Sequence, residues 1–305
     1  MNSELAPLVI FTYRRLDKTI KCLETISNAF LSEDTDIYIF SDGAKGDKDA
    51  APVASVREYL DELKENGRLK KIQIIKRDKN YGLANNVISG VSEVIEKYGR
   101  VIVIEDDLIV SPDFLSYMNE ALVYYENEED IWSVTAYTDY LKAFDKYSHD
   151  IYYGYRGCSY GWGTWRNRWD TVDWEVKDYK RLLCDRRLQR QFNRGGNDMT
   201  GMLTDQMQGK IDSWAIRWCF SQSMQDRYTV YPVKSKVLNT GKDGSGTNQG
   251  VSLSTGAEYF DERCNHIKLE LLKPDIRINK EFKRKHSDTL GKKIRRNIMR
   301  FGFVY

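Results

Sequence analysis

Four short, apolar and largely β-branched runs recur in the first third of this 305-residue chain: Leu8–Thr12, Ile37–Phe40, Ile72–Ile75 and Val101–Ile104. Each is too short for a helix. Each is also apolar at nearly every position rather than at alternate ones, the pattern of strands buried on both faces of a parallel sheet. Helical spacing fills the intervals at Thr19–Ala29, Val53–Asn66 and Leu83–Tyr98, the last ending at Gly99. The alternation predicts an α/β fold: a Rossmann-type, mostly parallel sheet flanked by helices and joined by right-handed crossovers. In such a sheet ligands gather at the carboxyl ends of the strands, so the residues after each run are the informative ones.

Those residues are polar every time. The runs are followed by Tyr13-Arg14-Arg15, Ser41-Asp42-Gly43, Lys76-Arg77-Asp78-Lys79-Asn80 and Glu105-Asp106-Asp107. No GxGxxG follows the first run and no GxxxxGK[ST] occurs anywhere, which argues against dinucleotide-binding and P-loop chemistry. Three consecutive acids raise one another's pKa unless a cation relieves them. A hard divalent ion does so, and Mg²⁺ or Mn²⁺ commonly takes one or two carboxylates together with phosphate oxygens. A solvated acidic turn, or caps for the helix that Ser111-Pro112-Asp113 starts, would explain the same residues.

The run from Ile104 to Met118, IEDDLIVSPDFLSYM, resembles the metal-binding segment of GT-A fold glycosyltransferases, most of all the N-acetylglucosaminyltransferase I family. The similarity continues in order through Arg14, Ser41-Asp42, Ser133 to Asp139, Gly161-Trp162-Gly163 and Ile211-Asp212-Ser213-Trp214. Asn80 to Asn86 also resembles the family 2 glycosyltransferases, and the likeness covers roughly residues 7–250. It implies a GT-A-like domain over 1–279, with a nucleotide half to about 110 and an acceptor half over 111–279. By the same resemblance Asp107 binds Mn²⁺ (or Mg²⁺), Asp106 faces the donor ribose or sugar, Glu105 lies near the donor sugar, Asp42 reads the uracil ring and Arg14 contacts the nucleotide. Thr12 and Asn85 join the donor side. Asp212 becomes the base of an inverting transfer, with Asp205 in reserve. Here Ile211 and Ser213 stand where the family has Trp and Asp, and a helix cap is the competing explanation for this segment.

Aromatic residues crowd Tyr152 to Trp174. Most belong in a core on general grounds, while Trp162, Gly163 and Trp214 are expected to line the acceptor cleft. The glycine-rich stretch Asn239–Asn248 reads either as an ordinary connection or, by resemblance, as a lid bringing Lys242 or Ser245 to the diphosphate. His149, His266 and His286 are far apart and suggest no multi-histidine metal site, although His266 stays open as an extra ligand. Five cysteines without a CxxC pair argue against a disulfide framework and for a reducing, cytoplasmic setting.

Charge is distributed unevenly. Residues 280–305 hold nine basic and two acidic side chains, a net +7 that leaves −5 on residues 1–279 of a chain whose total is +2. From Leu290 the apolar positions Leu290, Ile294, Ile298 and Phe301 form one helical stripe among basic residues. A basic amphipathic tail of this kind suits an anionic membrane surface through residues 288–305, with RNA contact or docking on the body as the plainer alternatives. No nucleic-acid partner is expected. The function expected is transfer of a sugar from a UDP-sugar, UDP-GlcNAc by resemblance, to a glycan or lipid-linked saccharide. A sugar-1-phosphate nucleotidylyltransferase and a non-catalytic binding protein on the same scaffold are the rivals.

Overall fold

The computed structural model describes residues 5–241 and 259–287. Its first half runs β1 (Leu8–Thr12), α1 (Leu16–Ser27), β2 (Ile37–Ser41), α2 (Asp47–Glu65), β3 (Ile72–Lys76), α3 (Leu83–Tyr98) and β4 (Arg100–Glu105). Next come β5 (Leu108–Val110), α4 (Phe114–Tyr124), β6 (Ile131–Thr135), β7 (Ile151–Gly154), β8 (Trp162–Trp165), α5 (Arg166–Trp169) and α6 (Tyr179–Cys184). The chain continues through α7 (Arg186–Phe192), α8 (Met199–Met207), α9 (Trp214–Met224), β9 (Tyr228–Pro232), β10 (Val237–Asn239) and α10 (Ile276–Lys285).

Eight strands form one sheet in the order β3-β2-β1-β4-β8-β6-β9-β7, while β5 and β10 pair separately. The pairs β1–β2, β2–β3, β1–β4 and β6–β9 are parallel; β8 runs antiparallel to both its neighbours, and β7 antiparallel to β9. The α/β class, the mostly parallel sheet and the flanking helices are therefore as the sequence led one to expect. Continuous apolar strands have a direct cause. In β1, Leu8 and Ile10 pack against α1 and α2, and Val9 and Phe11 against α3, so both faces are buried.

The strand order places the site. From β1 the chain winds outward through β2 to β3, then crosses back so that β4 lies on β1's other side. That reversal is a topological switch point, and a crevice opens there beyond the carboxyl ends of β1 and β4. Those ends carry Arg14-Arg15 and Glu105-Asp106-Asp107, with Phe11 opposite Glu105 in register.

The boundary expected at residue 280 falls inside α10. Asp275 caps that helix through the N–H groups of Arg277 and Ile278, and its inner face buries Ile278 and Phe282 beside Leu141, Phe144, Tyr152 and Tyr231. Residues 280–287 accordingly belong to the folded body. The proposed membrane-facing residues 288–305, and Lys242 and Ser245, lie outside the described residues. No helix among the described residues is long and apolar enough to cross a membrane.

Candidate active site

A cavity of about 560 Å³ occupies the switch point and extends toward α9 and α10. Thr12, Arg14, Asp42, Glu105, Asp106, Asp107, Asp212 and Trp214 all line it, so residues as distant in sequence as Thr12 and Trp214 converge. Asn85, Asp205, Trp162 and Gly163 are not on its wall.

The acids form its charged end. Asp106 and Asp107 are buried, and Arg15 reaches both, with Nη2 2.5 Å from Asp106 Oδ1 and 3.0 Å from Asp107 Oδ2. Burial pushes the Glu105 carboxyl up to about 8, helped by the two neighbouring aspartates. Burial also pushes Asp106 up to about 6, against the opposing pull of Arg15. The site thus holds carboxylates that a further cation would relieve. Gly241 passes directly over them: a Cβ there would sit 2.0 Å from Asp107 Oδ2, so no larger residue fits without displacement. Thr240 fastens this approach by donating its N–H and hydroxyl to the Asp107 carbonyl, both at 2.9 Å.

Two buried polar atoms at this end lack a hydrogen-bond partner among the described residues, Thr12 Oγ1 and Arg15 Nη1. A guanidinium nitrogen left so is costly unless an acceptor arrives. Among the described residues no group of three or more His, Cys, Asp or Glu side chains forms a ready metal cage. The donor set still fits a hard divalent ion that takes one or two carboxylates and completes its shell with phosphate and water.

Arg15, rather than Arg14, is therefore the arginine directed into the acids. Arg14 is half exposed and pairs with Asp49 at 2.6 Å, beside the Tyr13–Asp49 hydrogen bond of 2.8 Å. The sequence shows two arginines after β1, and nothing in their spacing decides between them.

Asp42 lines the cavity and also holds a loop. Its Oδ1 accepts N–H bonds from Gly43 (2.9 Å) and Tyr81 (2.8 Å), and its Oδ2 from Gly82 (3.1 Å) and the Asn80 amide (3.1 Å). Four donors thus meet this carboxylate, which clamps the loop that leads into α3. Gly43 allows the approach, since a Cβ there would meet the Lys79 carbonyl carbon at 2.4 Å.

Asn85 is exposed and bonds back to the Tyr81 carbonyl, whereas Asn86 is buried and lines the cavity. The helical period alone does not make this distinction. The stripe Ala84, Val87, Val91, Val94 and Ile95 faces the sheet and leaves Asn85 and Asn86 on its two flanks, equally far from its centre, so the choice between them comes from what packs against each flank.

Asp212 immediately precedes α9, whose N-cap is Ser213, and its Oδ2 accepts the Ala84 N–H at 3.2 Å. It therefore ties the first turn of α3 to α9 from across the cavity, which realises the capping role but on a distant helix. Asp205 belongs to α8. Trp214 reaches the cavity wall, but Trp162 is 1% exposed within a cluster, its ring 4.6 Å from Trp218, 5.0 Å from Trp214 and 5.8 Å from Trp169. Gly163 lies opposite Ile102 in the sheet, where a Cβ would come 2.9 Å from the Val101 carbonyl oxygen. Both are corrected from acceptor-lining to core positions, because β8 inserts between β4 and β6 and buries them.

Residues 53–195 match the model of the GNT-I family, in agreement with the resemblance carried by the sequence. Over 79 residues the chain is 31% identical to an alpha-1,3-mannosyl-glycoprotein 2-beta-N-acetylglucosaminyltransferase of Arabidopsis thaliana. That match covers 25% of this chain and 17% of the length of that relative. Among solved structures, residues 1–349 of TarS from S. aureus overlap with 76% of this chain and 59% of that one, at 8% identity and a TM-score of 0.43. The mannosyltransferase PcManGT from Pyrobaculum calidifontis, in complex with GDP-Man and Mn²⁺, overlaps with 55% of this chain and 48% of that one, at 12% identity and a TM-score of 0.39.

Proposed function

We propose that this protein is an inverting glycosyltransferase that moves a sugar from a UDP-linked donor to a saccharide acceptor. The observation that carries the proposal is one cavity with Asp106, Asp107 and the unsatisfied Arg15 Nη1 at one end and Asp212 on its wall. The GNT-I family match, which spans the acid triplet, supports it, and the name of the Arabidopsis relative makes N-acetylglucosamine the first donor sugar to try.

In this reading Asp107, with Asp106 beside it, would hold Mn²⁺ or Mg²⁺, which neutralises the charge that builds on the departing diphosphate. Arg15 and the Thr12 hydroxyl bind the donor phosphates or ribose with the groups they leave unpaired. Asp42 keeps the 80–82 loop in place as a wall of the nucleotide pocket. Asp212 takes the proton from the attacking acceptor hydroxyl. That oxygen then bonds to the anomeric carbon while the bond to the β-phosphate oxygen breaks, and UDP leaves with the bonding electrons. The Ala84 amide fixes the carboxylate for this step.

The test is release of UDP on incubating the protein with a panel of UDP-sugars, Mn²⁺ and saccharide acceptors. Acceptor-dependent UDP release is expected. Nucleotide binding without turnover would favour the non-catalytic reading, and nucleoside triphosphate consumption with a sugar phosphate would favour the nucleotidylyltransferase.

A further inference from the structure

A second group of cavity-lining residues is built differently from the acids: Tyr137, Asp139, Arg156, Tyr231, Phe282 and His286. The last two come from α10 and the residue after it, beyond the stretch that matches the family. This helix is tightly fixed. Glu281 accepts the N–H groups of Lys142 and Ala143, both at 2.9 Å, and the Asn279 amide donates to the Tyr153 carbonyl at 3.0 Å. Phe282 packs edge-on against Tyr231 with centroids 5.5 Å apart, and the His286 ring lies 4.4 Å from that of Phe282.

Charge in this group is balanced within the protein. Arg156 forms a two-pronged pair with Asp198, at 2.8 and 3.1 Å. Asp139 accepts the Tyr137 hydroxyl at 2.8 Å and faces Lys285 Nζ at 3.5 Å and His286 Nε2 at 3.7 Å. Two acids thus oppose two permanent cations, and burial holds His286 well below its usual value, neutral near pH 7. The acid cluster, with three adjacent acids and Arg15 aimed among them, is strongly polarised. Aromatic walls with a few satisfied polar groups suit an uncharged polyhydroxylated ring, whereas a charged ligand would have no free counter-ion.

We propose that the part of the cavity between Asp139, Arg156, Phe282 and His286 is the acceptor subsite, that it selects an uncharged saccharide ring, and that α10 completes it. This rests on the glycosyltransferase reading above. Asp139 and His286 are the groups placed to hydrogen-bond the ring hydroxyls, and Phe282 and Tyr231 supply apolar contact.

The experiment uses the full chain with UDP and Mn²⁺ and reads saturation transfer by NMR to methyl glycosides. The probes are neutral ones (glucose, galactose, mannose, N-acetylglucosamine) and charged ones (glucuronic acid, glucosamine). UDP affinity is measured in parallel by calorimetry. At least one neutral glycoside is expected to bind and the charged ones not to. Affinity for the neutral glycoside should fall about tenfold or more in His286→Ala and in Asp139→Asn, the loss of one good hydrogen bond to a ligand, with UDP affinity unchanged. Asp139→Asn keeps the size of the side chain, so a folding defect in one variant does not remove the test. Normal UDP binding with no glycoside bound, with charged glycosides bound equally well, or with both variants behaving as wild type overturns the subsite. Absence of UDP binding to the wild-type protein overturns instead the glycosyltransferase reading on which it rests.

Discussion

Arg15→Met removes the guanidinium that bridges Asp106 and Asp107 while keeping most of the stem. The wild-type contacts measure 2.5 and 3.0 Å on a side chain 18% exposed, against carboxylates that are nearly inaccessible. Removing one partner of a buried ion pair costs about 3–5 kcal/mol, because a buried charge is left uncompensated. Partial exposure of Arg15, and the readiness of Asp106 to take up a proton, bring the expectation to the lower end, about 2–3 kcal/mol at pH 8. A divalent ion would supply the missing charge, and ligand at 100 times its dissociation constant adds about 2.7 kcal/mol. Urea denaturation followed by circular dichroism, in EDTA and in Mn²⁺, measures both quantities. The variant should be destabilised in EDTA, and Mn²⁺ should raise its stability by more than it raises that of the wild type, since the ion no longer competes with Arg15. Equal stabilities in EDTA, or a variant indifferent to Mn²⁺, would refute the view that the arginine and a metal answer to the same acids.

Other outcomes follow from the same geometry. Glu105 and Asp106 are both raised in the folded state, to about 8 and about 6, so between pH 4 and 8 the folded protein binds more protons than the unfolded chain. Their contribution is present at pH 4 and is lost as pH rises to 8; Glu105→Gln should flatten this fall in denaturation midpoints recorded in EDTA, and an unaltered slope contradicts it. Lys236 is wholly buried between Asp113 at 2.6 Å and Asp261 at 3.4 Å, so Lys236→Met should cost about 3–5 kcal/mol in urea denaturation. A variant as stable as the wild type would show the pair to be dispensable. Asp212→Asn keeps an oxygen for the Ala84 amide but cannot take a proton, so UDP affinity should persist while turnover falls roughly 10²–10⁴-fold. Normal turnover in that variant would move the base elsewhere.

What could be read from the chain alone follows the physics of burial. Strands covered on both faces write themselves as unbroken apolar runs, so β1, β2 and β4 were legible, and with them the edge where Glu105 to Asp107 gather; the run of β3 reads alike although β3 is the edge strand and mostly half-buried. The helical period of α3 marked its buried stripe but not the choice of Asn86 over Asn85, which flank it at equal angles. Long-range pairing was not legible. That β8 would slip between β4 and β6 and bury Trp162 depends on contacts that no local pattern encodes, as does the clamp of Asp42 on residues 80–82. The basic run hid a second fact, because its charge drew attention to a membrane while Ile278, Glu281 and Phe282 fasten its beginning to the cavity wall.

The account stands on Asp107 as the carboxylate that, with a divalent ion, binds the donor diphosphate at the switch point. Isothermal calorimetry of UDP with and without Mn²⁺, on the wild type and on Asp107→Ala, measures this. Tight UDP binding that requires Mn²⁺ in the wild type, weakened by about two orders of magnitude or abolished in the variant, is the predicted result. Mn²⁺-dependent UDP binding of equal strength in Asp107→Ala would contradict it.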